Sequence, residues 1–330
     1  MTSIIRRRLL AAAAGTGAGL LLGRGALAQE IYPNKPINVI LPLQAGSASD
    51  IAVRVFCERL AEEIKGTFVI ENVPGAAGLI GAERLTKATR DGYTLAALNN
   101  SILTILPNVK RSQVKFDPFV DFVPIRGIAS IPTLLGVNKD VPINNVRELV
   151  AFAKQNPGKL NYSSGGPGSP QHLATEMFQA MAGVKLTHVP YKGATQAAAD
   201  LAGGQVQVMF IAHSLALPFL PGGRVKPIAF AGGERSSAFP DLPTVAEAGL
   251  PGFDYSSWVA LFAPRDTPAA VVNLLRQASA KVLAPAAIKE RLAKSGLELW
   301  DLPAERVTAV IRGDFARWEK VVKTPGFSAE

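Results

Sequence analysis

Apolar residues along the chain fall in short unbroken runs. Each run is followed by a cluster of small and polar residues, then by a stretch with helical spacing. Residues 36–43 (PINVILPL) are apolar and β-branched, the pattern of a strand buried on both faces of a parallel sheet. The segment 44–50 (QAGSASD) interrupts that run, and residues 50–64 carry helical periodicity. Residues 67–72 predict a second strand, 73–78 (VPGAAG) a second small-residue turn and 81–85 part of a helix. A third strand, 94–98, runs into Asn99-Asn100-Ser101. The theme returns with strands predicted at 134–137, 160–164, 186–191, 206–210 and 258–263. Helices are predicted at 146–155, from 171 onward, and at 194–202, 271–283 and 303–322. Repetition of strand, small-residue turn and helix predicts an α/β protein made of doubly wound lobes. Residues 240–252, rich in Pro and Gly, read as a connector. The chain is expected to leave a first lobe near residue 130 and return near 255. Lobe one is then 29–130 with 255–330, lobe two is 131–254, and two strands cross a ligand cleft between them.

The first 28 residues stand apart from this pattern. Arg6, Arg7 and Arg8 precede an apolar run from Leu9 to Leu22, and Ala26-Leu27-Ala28 supplies a small-x-small site. This is the layout of a cleaved export signal. The apolar run falls short of the roughly 20 residues that span a bilayer. The adjacent arginines also fit twin-arginine export, and the expected location is the periplasm.

Composition narrows the function. The chain has 330 residues, 48% hydrophobic and 18% charged, which suits a globular protein of about two domains. Removing residues 1–28 takes away four arginines and no acids, so the formal charge falls from +9 to +5. A mild positive balance favours anionic solutes. No dense Lys/Arg stripe argues for nucleic acid. Cys57 is the only cysteine, which excludes an intramolecular disulfide, and its apolar helical setting reads as a small buried hydrophobe.

Candidate chemistry lies in the small-residue turns at the carboxyl ends of the predicted strands, where open α/β sheets bind ligands. Ser47, Ser49 and Asp50 are N-cap types for the first helix, and Ser169 for the helix from 171. Helix starts present unpaired N–H groups and partial positive charge, so two of them across a cleft can hold a carboxylate without an arginine. His172, His188 and His213 have no paired metal-ligand spacing, and neither a GxSxG elbow nor a phosphate loop occurs. No metal, cofactor or catalytic residue is expected. Lys192, after Tyr191, reads equally as a point charge for a ligand or as a solvated turn lysine.

Segments 32–50 (YPNKPINVILPLQAGSASD), 71–85 (ENVPGAAGLIGAERL), 91–95, 116–125, 156–178 (NPGKLNYSSGGPGSPQHLATEMF), 188–194 (HVPYKGA), 200–210 and 239–254 together resemble the tripartite tricarboxylate transporter receptors, the Bug family. The resemblance implies a type II periplasmic binding protein fold with lobe closure. It implies a role as a receptor that hands carboxylates, amino acids or aromatic acids to a membrane permease; no nucleic acid partner and a monomer are expected. The ligand loops it implies carry Gln44, Ala45, Gly46, Ser47, Ser49, Asp50, Ala76, Ala77, Gly78, Asn99, Asn100, Ser101, Ser164, Gly165, Gly168, Ser169, His172, Tyr191 and Lys192. Departures from the family pattern include Leu79 for a usual Asn, Pro167 for a frequent Asn, and Ile211 where an Asp usually follows Met209-Phe210. With Ile211 assigned to the site, the expected ligand is a carboxylate with an apolar or aromatic body and not an amino acid. Rival readings are a receptor that presents its ligand to a sensor kinase, and a periplasmic hydrolase or isomerase using His172 or Lys192.

Overall fold

The apolar runs become the centres of two sheets. In the computed structural model of the chain, residues 32–328 are described, and Lys35–Glu330 forms one unit. The export signal expected at residues 1–28 lies outside the described residues. In chain order the first elements are β1 (Ile37–Leu41), α1 (Ala48–Ile64), β2 (Phe68–Asn72), α2 (Leu79–Thr86) and β3 (Thr94–Asn99). A helical run over Ser101–Ile105 continues into α3 (Leu106–Val109) and is followed by β4 (Phe122–Ser130). The middle holds β5 (Thr133–Asn138), α4 (Val146–Gln155), β6 (Asn161–Ser164), α5 (Pro170–Ala182), β7 (Thr187–Pro190), α6 (Ala194–Ala202), β8 (Val208–Ala212), α7 (His213–Ala216) and β9 (Val225–Phe230). The chain closes with β10 (Trp258–Pro264), α8 (Ala269–Leu283), α9 (Ala286–Lys294), β11 (Glu298–Leu299) and α10 (Ala304–Val321).

The first sheet has the order β11-β4-β10-β3-β1-β2, the second β7-β6-β8-β5-β9. β1 lies parallel to β2 and β3, and β6 parallel to β7 and β8. β10 and β5 run against their neighbours, so both sheets are mixed. β5 and β10 are the strands that follow the crossings between lobes, which carry no helix to bring the chain back parallel; β11 also runs against its neighbour β4.

β4 and β9 are missing from the sequence reading because each contains a proline: Pro124 in β4 and Pro227 in β9. Proline removes a ladder donor and is confined to edges and bulges. The β4–β10 register shifts beside Pro124, and the β5–β9 register shifts beside Pro227.

Ile40, Leu98, Phe262, Val307 and Ile311 belong to the core of the first lobe; Val137, Tyr162, Phe178, Phe210 and Phe253 to that of the second. Burying each such side chain stabilises the fold by about 1.5–3 kcal/mol. Cys57 is buried, and desolvation pushes its thiol up to about 12, as its apolar setting led one to expect.

The two crossings are tied to each other. The Ile131 N–H donates to Ser257 O at 2.8 Å. Asn100, just after β3, donates through Nδ2 to Ser256 O at 2.9 Å and accepts from Ser257 Oγ at 3.1 Å. A third link was not foreseen. Residues 255–330 were expected to return wholly to the first lobe, yet α10 buries Val307 and Ile311 in the first core and Trp318 in the second. Val321, Val322 and Phe327 follow Trp318 into that second core, since apolar residues this far along the helix have passed the edge of the first lobe.

Candidate functional site: a cleft between two helix starts

Pro42 and Leu43 end the first strand run, and the chain then turns through Gly46, whose φ of 75° suits glycine, into α1. Ser47 caps the helix, its Oγ accepting the Asp50 N–H at 3.3 Å. Asp50 stitches the turn. It accepts from Gly46 N–H at 2.9 Å, Arg54 Nε at 2.8 Å and Asn72 Nδ2 at 2.9 Å. Burial pushes the Asp50 carboxyl up, but the hydrogen bonds from Arg54, Asn72 and Gly46 outweigh it and hold the group below the usual carboxylate range.

The turn before α5 is built differently. Ser169 has N-cap backbone angles, yet its side chain caps nothing, and Pro170 begins the helix. Its Oγ is buried and without a partner among the described residues. The glycine-rich loop before it is held from beneath by two histidines. Gly168 N–H donates to His172 Nδ1 at 3.1 Å, and Ser164 Oγ, which accepts the Gly166 N–H at 3.0 Å, lies 2.6 Å from His188 Nε2. The two imidazoles stack with centroids 4.4 Å apart, and Tyr162 stacks on His188 at 4.7 Å. Burial, the neighbouring His188 and Lys110 push His172 down to about 4, and burial lowers His188. Both rings are therefore neutral at pH 7. Beneath them the Tyr162 hydroxyl donates to Glu176 at 2.6 Å.

These two turns face one cavity of about 400 Å³, within the range usual for small-molecule sites. Of the residues assigned from sequence, Gln44, Ser47, Ser49, Ala76, Ala77, Gly78, Asn99, Gly165, Ser169 and Lys192 line it. The Asn99 amide is oriented by its Oδ1, which accepts from Ser101 Oγ and the Ile102 N–H; its Nδ2 is buried and unpartnered among the described residues.

The other assigned residues stand behind the wall. Ala45, Gly46, Asp50, Ser101, Ser164, Gly168 and His172 shape the turns, and Asn100 ties the end of β3 to the crossing at Ser256 and Ser257. Tyr191 turns away to donate its hydroxyl to Asp200 at 2.7 Å. Ile211 is also off the wall. Strand alternation sends Phe210 and Ala212 to the cleft and Ile211 to the opposite face, where it packs over Gly136. The apolar character expected from Ile211 comes instead from Phe210, Ala212, Leu215 and Ile131.

Sequence reasoning also missed Lys110, Gln113, Thr133, Tyr255 and Ser257. The first two follow a short helix with no periodic signal, and the others sit at the crossings, whose place in the cleft depends on both lobes. The described wall holds two lysines and no aspartate or glutamate.

The lobes touch on both flanks of the cavity. On one, Thr195 Oγ1 donates to Gly46 O at 3.4 Å, and a Cβ on Gly193 would fall on the Gln44 carboxamide. On the other, a Cβ on Gly168 would come within 2.9 Å of the Ala77 Cβ.

This architecture recurs in known proteins. An R. palustris protein solved with adipate superposes with a TM-score of 0.85 at 35% identity, over 90% of this chain and 99% of that one. MatC from Rhodopseudomonas palustris, with bound malate, superposes with a TM-score of 0.82 at 30% identity, over 88% and 100%. Protein BugT of Bordetella pertussis is 30% identical over 302 residues, 90% of this chain and 91% of the relative. The sequence pattern of the tripartite tricarboxylate transporter family receptor, TctC, matches residues 52–327. With its two mixed α/β lobes and the cleft between their helix starts, the chain belongs to the tripartite tricarboxylate transporter receptors, a family of solute-binding proteins.

Proposed function

We propose that this receptor captures a small organic carboxylate with an apolar body in the periplasm by lobe closure and delivers it to a membrane permease of the tripartite tricarboxylate type. The observation that carries the reading is the start of α5. A helix N-terminus without a side-chain cap and a buried Ser169 Oγ, unpartnered among the described residues, face a cavity without a carboxylate on its described wall. Such an end offers N–H donors and partial positive charge to an anion. The start of α1 faces the same cavity from the other lobe, so a ligand touching both favours the closed arrangement. A free amino acid fits poorly, since its ammonium would meet lysines and helix starts with no carboxylate to pair with. The relatives solved with adipate and malate lend support to an acid as the ligand. No nucleophile and base converge on the cavity: Ser164 and His188 hydrogen-bond behind its wall, so a binding role is preferred to catalysis.

Titration calorimetry against a panel of aliphatic acids, aromatic acids and amino acids tests the reading. Micromolar or tighter binding of an acid, lost in Ser169→Trp with the fold retained by circular dichroism, is the expected result. Preferential binding of zwitterionic amino acids, or unchanged affinity in Ser169→Trp, would overturn it.

A further inference from the structure

We infer that Glu176, which does not line the cleft, is a positioning residue for ligand binding: its carboxylate fixes the tautomer of His172, and that tautomer holds the glycine-rich loop at the start of α5. The loop's part in binding rests on the carboxylate reading above. Glu176 is buried on α5, one turn after His172 and on the same face. Its Oε1 accepts from the Tyr162 hydroxyl and from Gln179 Nε2, both at 2.6 Å, and the Ser328 N–H also donates to the carboxyl. The Gln179 amide is fixed in that sense, because its Oε1 accepts the Leu186 N–H at 2.5 Å. Burial pushes the Glu176 carboxyl up, and the hydrogen bonds act against it. A carboxyl that meets three donors is held as the anion.

That anion faces one ring. The Gly168 N–H donates to His172 Nδ1, so Nδ1 carries no proton and the proton of the neutral ring sits on Nε2. His172 Nε2 lies 3.9 Å from Glu176 Oε1. This is too long for a hydrogen bond, but a buried carboxylate at that distance favours the N–H on the nearer nitrogen. The other neighbours do not choose between the tautomers. His188 stacks on the ring at 4.4 Å and Tyr162 at 6.4 Å, and Lys110 acts against a second proton on either nitrogen. With the proton on Nδ1 instead, two N–H groups would meet at Gly168 and push the loop outward. Gly165, Gly166, Pro167 and Ser169 of this loop line the cavity, and Gly168 seats against Ala77 of the other lobe. A displacement there reaches both the ligand and lobe closure.

The test uses the mature chain and a proton–nitrogen correlation spectrum that tells a protonated imidazole nitrogen from a bare one, with His172→Asn assigning the His172 signals. Near neutral pH, wild-type His172 is expected to carry its proton on Nε2, and in Glu176→Gln a large share should move to Nδ1. Tyr162→Phe, which removes a donor but leaves the charge, should keep the wild-type tautomer. A proton on Nδ1 in the wild type, or a tautomer shift in Tyr162→Phe, would overturn the inference, and both outcomes can be read even if Glu176→Gln does not fold. An unchanged tautomer in folded Glu176→Gln would overturn it too. Adipate, malate and benzoate then serve as probes for calorimetry. For the tightest of them, Glu176→Gln should weaken affinity about tenfold in the wild-type background, and less than about threefold in His172→Asn, where no tautomer remains to be set. Equal losses in the two backgrounds would reduce Glu176 to a structural support and sink the positioning role. Failure of all three acids to bind would count against the carboxylate reading and not against Glu176, which the tautomer still tests.

Discussion

The two turns that face the cleft look alike in sequence and are built in opposite ways. Both carry glycine, both place a serine before a helix, and both follow a strand. Ser47 turns its hydroxyl onto its own helix, and Asp50 ties the turn to Arg54 and Asn72. Ser169 leaves its hydroxyl without a partner among the described residues, and its loop is fixed from below by His172 and His188. The comparison teaches that a helix start can be kept available to a ligand only if the loop before it is held by something else. In the first lobe a carboxylate does the holding; in the second, two neutral imidazoles do.

The largest expected effect comes from removing the anchor of the first turn. Asp50→Ala should lower the unfolding free energy by about 3 kcal/mol, because three hydrogen bonds to a buried carboxylate are lost; urea denaturation would show it. A loss below about 1 kcal/mol would mean that the turn is held elsewhere. The second turn should fail with acid. Unfolded histidine titrates near 6.5, whereas native His172 stays neutral down to about 4, so protons bind the unfolded chain preferentially between those values. The His172 contribution to stability is fully present above pH 6.5 and falls by about 3 kcal/mol on acidification toward pH 4. Denaturation curves at several pH values would measure this fall. His172→Asn, which keeps an acceptor near the Nδ1 position but does not titrate, should flatten it.

The paired serine substitutions sharpen the contrast further. Ser47→Ala should cost about 1 kcal/mol of stability through loss of a cap. Ser169→Ala should leave the melting temperature nearly unchanged and weaken ligand binding about tenfold. Equal effects of the two substitutions on stability would erase the distinction between the turns. The smallest effect is expected at the rim: the exposed Lys192→Gln should weaken binding less than about threefold, a difference that vanishes in high salt.

Much of this was legible along the chain. The strand, turn and helix alternation gave the two lobes, and the quoted motifs pointed to the family that the comparisons identify. The resemblance also brought forward the loops that line the cavity, since backbone turns at strand ends leave a local signature. Which side chains within those loops meet the cavity was not legible. Tyr191 and Ile211 lie one residue from lining positions; a strand alternates its faces at every residue, and the Tyr191 side chain is drawn off to Asp200. β4 and β9 escaped because Pro124 and Pro227 mimic breakers until a neighbouring strand accommodates them in a bulge.

By itself the sequence determined the α/β class and the small-residue turns that precede helices at strand ends. These depend on local spacing, turn chemistry and the order of apolar runs. Only the tertiary structure decided that α10 joins both cores, that two histidines brace the glycine-rich loop, and that Lys110 comes to the cleft with no ion pair among the described residues. Each of those facts depends on residues distant in the chain meeting in space, and no local pattern encodes which partners long-range packing will supply.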